Sequence, residues 1–457
     1  MRLFDLISKY AQITPNNMAF VDDVRSVTYY SLWQHILASR SFLIENGFEN
    51  QPVAYKIDSQ LKFAIDFLCL TAAGCWVIPI SSDVTADTYK KLVATHDIRL
   101  EIDSSFLPEV FSIQLCGSFV QDESNCGIYH LTSGSNGELK LCVRSLTSLK
   151  REGVAFKHLF SLQTFKIASL SPIYHSFALG AAYMAALVSG SSIYLIDKFI
   201  PRKAVDIIGT WQANVIIAVP VMIKAIATVL LQKEYDFSKL SVVLVGTGNV
   251  PVEIKTAFKE RFGVFISSNY GSTETGGFIS RLTEDPTESI GKEMEDTEIK
   301  LIRQDGREAE LGEEGEAYVK CKYMMSTYWG TGAEVFDKDG FFPMGDIMVK
   351  DANEFYYVKG RIKNLIIIGG KKVNPKEVED ILIRYQGIRD CIVCRAMRTN
   401  DQEIVKAIVV GDNLDETDIR TYLRQEGLAD YKIPSLIEFV DSINRNEIGK
   451  VVKRGAM

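Results

Sequence analysis

The sequence is poor in the residues that build metal cages and disulfide frameworks. Five histidines are dispersed over 457 residues, and the eight cysteines (Cys69, Cys75, Cys116, Cys126, Cys142, Cys321, Cys391 and Cys394) fall at spacings that complete no ligand set. The pair in Cys391-Ile-Val-Cys394 has no second Cys or His pair nearby, so it is expected in a strand core and not on zinc. Positive charge is not in excess. The 51 Lys and Arg face 58 Asp and Glu, for a net charge of -7, which argues against a nucleic-acid partner. Long apolar runs are missing too. The most apolar stretch, Val205 to Leu231, is broken by Gln212, Asn214, Pro220 and Lys224, so no membrane span is expected. The start, MRLFDLISKYAQITPNN, lacks the apolar core of a signal peptide. A cytoplasmic location is the expectation. No repeat or low-complexity tract stands out.

What is present is an ordinary globular composition, 47% hydrophobic and 24% charged, long enough for two or three domains. Short apolar runs (QPVAYKI, CWVIPI, FKIASLSPI, SSIYLI, ANVIIAV, LSVVLVG, GVFISSNYG) alternate with amphipathic stretches such as Val221 to Gln232 and Val252 to Phe262. That alternation predicts an α/β architecture with buried, mostly parallel strands. After about Glu284 the style changes. TEIKLIRQDG, GEAYVKCKY and GFFPMGDIMVKDANEFYYVKGR read as antiparallel strands joined by Gly turns. VNPKEVEDILIRY follows as a helix with Pro375 near its start, then the strand pair DCIVCRAM and EIVKAIVV, then a helix in DETDIRTYLRQEG. The expected organisation is a large, multi-layered N-terminal domain over 1–361 and a small C-terminal α+β domain over 362–457, with a catalytic cleft between them.

The segment IYHLTSGSNGELKLCVRS, from Ile128 to Ser145, carries the first chemical signal. A Walker A loop aligned on Lys140 would need glycine at 139 and a hydroxyl at 141, and both are leucine. What remains is Thr132-Ser133-Gly134-Ser135-Asn136-Gly137 followed by Lys140. Backbone N–H groups and hydroxyls in such a turn can surround phosphate oxygens. Read alone, it is equally a plain strand-to-strand turn.

Other segments supply a context. Thr132 to Leu141 resembles the phosphate loop T-S-G-[ST]-T-G-x-P-K-G of the adenylate-forming enzymes, which include acyl-CoA synthetases, stand-alone adenylation domains and luciferases. Tyr270 to Glu274, Y-G-S-T-E, is similar to the family's Y-G-x-T-E. Gly345-Asp346, then Gly360-Arg361-Ile362-Lys363, resembles G-D followed by G-R-x-[KD]. Gly369-Gly370, Pro375-Lys376-Glu377-Val378-Glu379 and a C-terminal Gly449-Lys450 complete the order, with a weaker match in SPIYHSF around His175.

The resemblance implies a two-step reaction. A carboxylate attacks the α-phosphorus of ATP to give an acyl-adenylate and pyrophosphate, and a thiol then displaces AMP. An anion approaching a triphosphate needs cations and N–H donors where charge concentrates. By resemblance, Thr132, Ser133, Gly134, Ser135, Asn136, Gly137 and Lys140 hold the β- and γ-phosphates, and Glu274 is a Mg2+ ligand, as suits a hard cation. Thr273 bonds an α-phosphate oxygen and Tyr270 lies against adenine. Asn269, Gly271, Ser272 and the loosely matching Gly248 count with the nucleotide-contacting residues. Asp346 accepts the ribose hydroxyls, with Arg361 beside it. Lys450 bridges α-phosphate and carboxylate, a role that suits a compact ammonium. Lys363 marks the hinge about which the small domain turns. His175 contacts the carboxylate or gates the acyl pocket; the other reading is a core histidine.

Leu139, Leu141, Asn136, Met344 and Asn444 depart from the family pattern without removing a charge the chemistry needs. No acidic residue lies between Ile173 and Leu187, where α-amino-acid activators carry an aspartate, and a buried ammonium without a partner is costly. The expected substrate is therefore a fatty, short-chain or aryl acid. The expected acceptor is coenzyme A. The alternative is the phosphopantetheine of an acyl or peptidyl carrier protein acting in trans, because no carrier domain is visible. A different class, a non-catalytic nucleotide-binding relative, would be favoured by loss of Lys450, Glu274 or Asp346, and all three are present.

Overall fold

The structure is a computed structural model that describes residues 1–82, 84–107, 118–133, 139–161, 163–231, 233–248, 250–284, 286–330, 334–368, 370–398 and 403–443. The chain forms two compact units. One comprises Met1–Glu298 with Lys320–Gly340; the other comprises Ile299–Val319 and the chain from Phe341 onward.

In the first unit, among the described residues, a nine-stranded sheet runs in the order Lys292–Glu293, Gly276–Arg281, Ser267–Ser272, Val242–Val245, Val215–Ala218, Lys166–Ser169, Ser192–Leu195, Met18–Val21, Ser26–Thr28. Its central pairings are parallel and its margins antiparallel. Val215–Ala218 and Val242–Val245 are buried at every position, as strands covered on both faces must be. Ile216, Val243, Val245, Ile223, Ile226 and Phe258 belong to one core cluster, which also takes in residues of the flanking helices. The expected helix at Val252–Phe262 is observed at those bounds. The one expected at Val221–Gln232 starts on Pro220 and stops at Thr228, because Val229 turns extended (ψ 138°).

A second sheet of this unit orders Thr327–Tyr328, Leu139–Ser145, Gly127–Ser133, Trp76–Ile80, Pro52–Lys56 and Leu100–Asp103. The helix Gln60–Ala72 is buried along its whole length. Its one buried cation, Lys62, lies 2.8 Å from Asp66, which also accepts from Tyr55 Oη at 2.8 Å. Buried charges without such partners are strongly disfavoured.

Thr297–Ile302, Glu314–Cys321, Phe342–Lys350 and Tyr356–Arg361 form a four-stranded sheet, most of which belongs to the second unit. The helix Pro375–Leu382 begins with proline at its first position, and the Asn374 side chain accepts from Lys376 N–H at 3.1 Å. Ile388–Met397 and Glu403–Gly411 pair antiparallel, with Leu436–Phe439 added parallel. Cys391 and Cys394 sit half-buried in the first of these strands, and neither is in a disulfide. Among the described residues, no helix is long and apolar enough to cross a membrane.

Candidate functional site

The hairpin of Gly127–Ser133 and Leu139–Ser145 is the foundation of the site. Its register pairs Thr132 with Lys140, His130 with Cys142 and Ile128 with Arg144. Side chains alternate across a strand, so these residues share one face, and Tyr129, Leu131, Leu141 and Val143 share the other. The second face belongs to an apolar cluster with Ile78, Ile80 and Leu92. There the rings of Trp76, Tyr129, Trp329 and His96 stack in series, with centroids 4.9, 4.5 and 4.7 Å apart.

The polar face meets a tight turn. Strands Ser267–Ser272 and Gly276–Arg281 are antiparallel, and the turn between them carries Thr273, Glu274 and Thr275. Glycine is required on both sides of it. A Cβ on Gly271 would sit 2.0 Å from the Gly276 carbonyl oxygen, and Gly276 has φ +70°. Ser272 braces the turn: its hydroxyl accepts from the Glu274 and Thr275 N–H groups at 3.2 Å each. Its own N–H donates to Thr275 Oγ1 at 3.0 Å. The Cys142 thiol donates to the Thr273 carbonyl at 3.4 Å, which sets the turn over the hairpin.

A strap, 323–329, closes the arrangement. Thr327 and Tyr328 pair antiparallel with Val143 and Cys142, and Trp329 N–H donates to Leu141 O at 2.8 Å. Met325 N–H donates to Glu274 O at 2.7 Å. With Trp329 in the aromatic stack, alternation puts Tyr328 on the polar face. Its hydroxyl donates to Glu274 Oε1 at 2.8 Å, and the Lys140 ammonium lies 4.9 Å from its ring centroid. Burial first, then the Glu274 charge, pushes the Tyr328 hydroxyl well above its ordinary pKa, so it stays a donor.

Beneath lies a buried ion pair. Arg144 and Glu152 are 2.8 Å apart with both side chains fully buried. Arg144 also donates to Tyr323 O at 2.8 Å and to Ser176 Oγ at 3.2 Å. Glu152 accepts from Gly277 N–H at 2.9 Å and packs on Gly180, where a Cβ would come within 2.3 Å of its carboxyl carbon. Gly180 lies in a π-helical turn, Leu179–Met184, that follows the short helix Ser176–Ala178. His175 precedes that helix, its ring 4.7 Å from Tyr174. His130 is buried, and neither ring nitrogen makes a well-formed hydrogen bond among the described residues. Burial, with Arg144 and His175 adding to it, holds its pKa down at about 3, so it is neutral.

The first unit therefore brings together Thr132, Lys140, Thr273 and Glu274. Asn269 is spent inside the sheet, its amide donating to Ser280 Oγ at 2.8 Å and to Ile279 O at 3.2 Å. Tyr270 packs edge-on against Phe278, with centroids 5.5 Å apart. Gly248 is exposed, after Thr247 at φ 69°. In the second unit, Asp346 is buried and register-paired with Arg361, whose Nη2 donates to Oδ2 at 3.0 Å. Lys363 is exposed in the 3-10 turn Ile362–Asn364. Gly134, Ser135, Asn136, Gly137 and Lys450, with the Ser133 side chain, lie outside the described residues. The sequence reading missed Tyr328, Arg144, Glu152 and His130. The polar set 130, 132, 140, 142 and 144, at strand spacing, was the available signal.

Among the described residues no group of three or more His, Cys, Asp or Glu is placed to hold a metal ion. That leaves no all-protein cage there. Glu274, next to Thr273 in the turn, fits a hard cation that takes the rest of its oxygens from a phosphate and water, the usual habit of Mg2+. Tyr328 engages one carboxylate oxygen, and a carboxylate has two.

The sequence matches the AMP-binding enzyme family over residues 119–329, and the AMP-binding enzyme C-terminal domain over 377–450. A feruloyl-CoA synthase from Amycolatopsis is 30% identical over 293 residues, 62% of this chain and 59% of that protein. A long-chain-fatty-acid–CoA ligase from Haemophilus influenzae is 30% identical over 294 residues, 62% of this chain and 52% of that one. The match thus spans little more than half the length of these relatives. In structure, ATP-bound MatB from Rhodopseudomonas palustris superposes with a TM-score of 0.88 at 20% identity, covering 98% of this chain and 97% of that one, which shows a shared fold. The two matches, in this order and together over more than half of the sequence, show that the chain belongs to the adenylate-forming AMP-binding enzyme family.

Proposed function

We propose that the protein is an ATP-dependent acid–thiol ligase, which forms an acyl-adenylate with release of pyrophosphate and passes the acyl group to coenzyme A. The carrying observation is the convergence of Lys140 and Glu274 on the one ring of Tyr328, over the polar face of the hairpin. A cation and a carboxylate held a few ångströms apart suit a metal-bound triphosphate: the ammonium neutralises phosphate oxygens and the carboxylate orients the ion. Mg2+ there would neutralise charge on the phosphates.

Each residue then has a task. Thr132, Ser133, Gly134, Ser135, Asn136 and Gly137 wrap the β- and γ-phosphates, with Lys140 at their edge. Thr273 bonds the α-phosphate, and Glu274 holds the metal. Tyr270, with Asn269, Gly271, Ser272 and Gly248 around it, forms the adenine side. Asp346 and Arg361 take the ribose. Lys450 meets the α-phosphate and the attacking carboxylate. The functional boundary falls at 361/362, with Lys363 at the hinge of a mobile 362–457 domain.

The acid is one without an α-amino group. The buried carboxylate that packs on the His175 segment, Glu152, is already paired with Arg144, so it offers an ammonium no partner. Coenzyme A is favoured over a carrier-borne thiol because the curated relatives above are named for CoA thioesters. A reducing cytoplasm suits the thiols: the cysteines at 69, 75, 126, 142, 321, 391 and 394 form no disulfide. The test is ATP–pyrophosphate exchange across fatty, aryl and amino acids, with Lys450→Ala as control, followed by addition of coenzyme A or a pantetheinylated carrier. Exchange with one acid class, abolished by Lys450→Ala, supports the reading. No exchange with any acid, while ATP binds wild type and Lys450→Ala alike, refutes it.

A further inference from the structure

We propose that Tyr328 is a positioning residue, a neutral spacer that holds Glu274 and Lys140 close together while keeping them from neutralising each other. The inference rests on the reading of Lys140 and Glu274 given above, and concerns a residue that reading does not use.

An ammonium and a carboxylate on facing segments of one polar surface tend to pair directly, and a pair so formed would be unavailable to phosphate and metal. Among the described residues no ion pair joins Lys140 to Glu274. Instead the phenol stands between them. Its hydroxyl donates to Glu274 Oε1 at 2.8 Å, and its ring lies 4.9 Å from the Lys140 ammonium. Each contact orients a charge without cancelling it. A hydroxyl donor occupies one carboxylate oxygen and leaves the group anionic. An aromatic face attracts an ammonium through its quadrupole and leaves its protons for an anion.

The spacer is itself fixed from three sides. Backbone pairing ties Thr327 and Tyr328 to Val143 and Cys142. Ser326 N–H donates to Val143 O at 3.0 Å and Met325 N–H to Glu274 O at 2.7 Å, so strap, hairpin and turn are one unit. Trp329, next in the chain, is clamped between Tyr129 and His96. Flipping the strap so that Tyr328 left the polar face would pull Trp329 from that stack, because successive side chains of a strand point to opposite faces. Such support is what a site needs for a fixed geometry of its chemical groups.

Two substitutions separate the contacts. Tyr328→Phe keeps the ring and removes the donor; Tyr328→Leu removes both. The readouts are calorimetric ATP binding with and without Mg2+, and Mn2+ binding in the presence of ATP by electron paramagnetic resonance, alongside thermal unfolding. For Tyr328→Phe we expect metal-free ATP affinity within about twofold of wild type and a metal requirement raised about tenfold, the scale of one hydrogen bond to a charged group. For Tyr328→Leu, metal-free ATP affinity also falls several-fold. Wild-type metal requirement in a folded Tyr328→Phe overturns the positioning role. So does a Tyr328→Leu protein that binds metal and ATP as wild type does. Wild type that binds ATP with no metal dependence overturns the ligase reading and this role with it, and the wild-type arm alone shows which has failed.

Discussion

The two faces of the hairpin 127–145 are built from alternate residues of the same two strands, yet they are held by different forces. Tyr129, Leu131, Leu141 and Val143 are held by contact area and ring stacking, which are non-directional or nearly so. Arg144, Cys142 and Lys140 face partners contributed by distant segments: the Glu152 side chain, the Thr273 carbonyl and the 323–329 strap. The first face tolerates changes of shape. The second tolerates almost no change of atom type, because a lost partner leaves a buried polar group stranded. The difference explains how a rigid scaffold can carry charges poised for a ligand: the area-driven face supplies stability and the other supplies geometry.

The strongest way to break that contrast is at the buried pair. Glu152→Ala should destabilise the first unit by about 3–5 kcal/mol, since it leaves the Arg144 charge unpaired, whereas Arg144→Met with Glu152→Met should recover most of the loss. Even Arg144→Lys should fail to restore stability, because an ammonium cannot reach Glu152, Tyr323 and Ser176 as the guanidinium fork does. All four tryptophans, Trp33, Trp76, Trp211 and Trp329, lie in the first unit, so their fluorescence in urea reports its unfolding alone. Next comes the apolar face. Leu141→Ala should cost about 3 kcal/mol by the same assay and Leu141→Met less than about 1.5 kcal/mol, the tolerance of a packed core for conserved volume. A cost for Leu141→Met as large as for Leu141→Ala would erase the distinction between the faces.

A smaller effect sharpens it. His130 is held neutral down to about pH 3, while in the unfolded chain it protonates near its ordinary value of 6.5. Between those values the unfolded state binds more protons, so the first unit loses stability as pH falls through that window, by at most about 1.4 kcal/mol per unit. His130→Leu should flatten that slope between pH 7 and 5. An unchanged slope would show that His130 is already charged or solvated in the folded protein.

Much of this was legible in the sequence, and what was not shares one cause. The alternation of apolar runs and amphipathic stretches located the parallel strands, since buried strands must be apolar throughout. Tyr270 to Glu274 stood out by its similarity to the family's Y-G-x-T-E. The partners of these residues did not show. Tyr328 reaches Glu274 across 54 positions and Arg144 reaches Tyr323 across 179. Such contacts are set by how strands pair, which no local pattern encodes. Alternation was the clue that went unused: polar residues at every second position of a strand imply a second buried surface. At Val229 the fault was local, as an apolar run that suits a helix ended when the backbone turned extended.

In the proposed function, the polar face of the hairpin holds the outer phosphates of ATP. The most direct measurement is the affinity of wild type and Lys140→Ala for ATP and for AMP, with Mg2+ present. A lysine on the β- and γ-phosphates predicts that the substitution weakens ATP about tenfold, the scale of one charge-assisted contact, and leaves AMP within about twofold. Equal weakening of both nucleotides, or of neither, would contradict it.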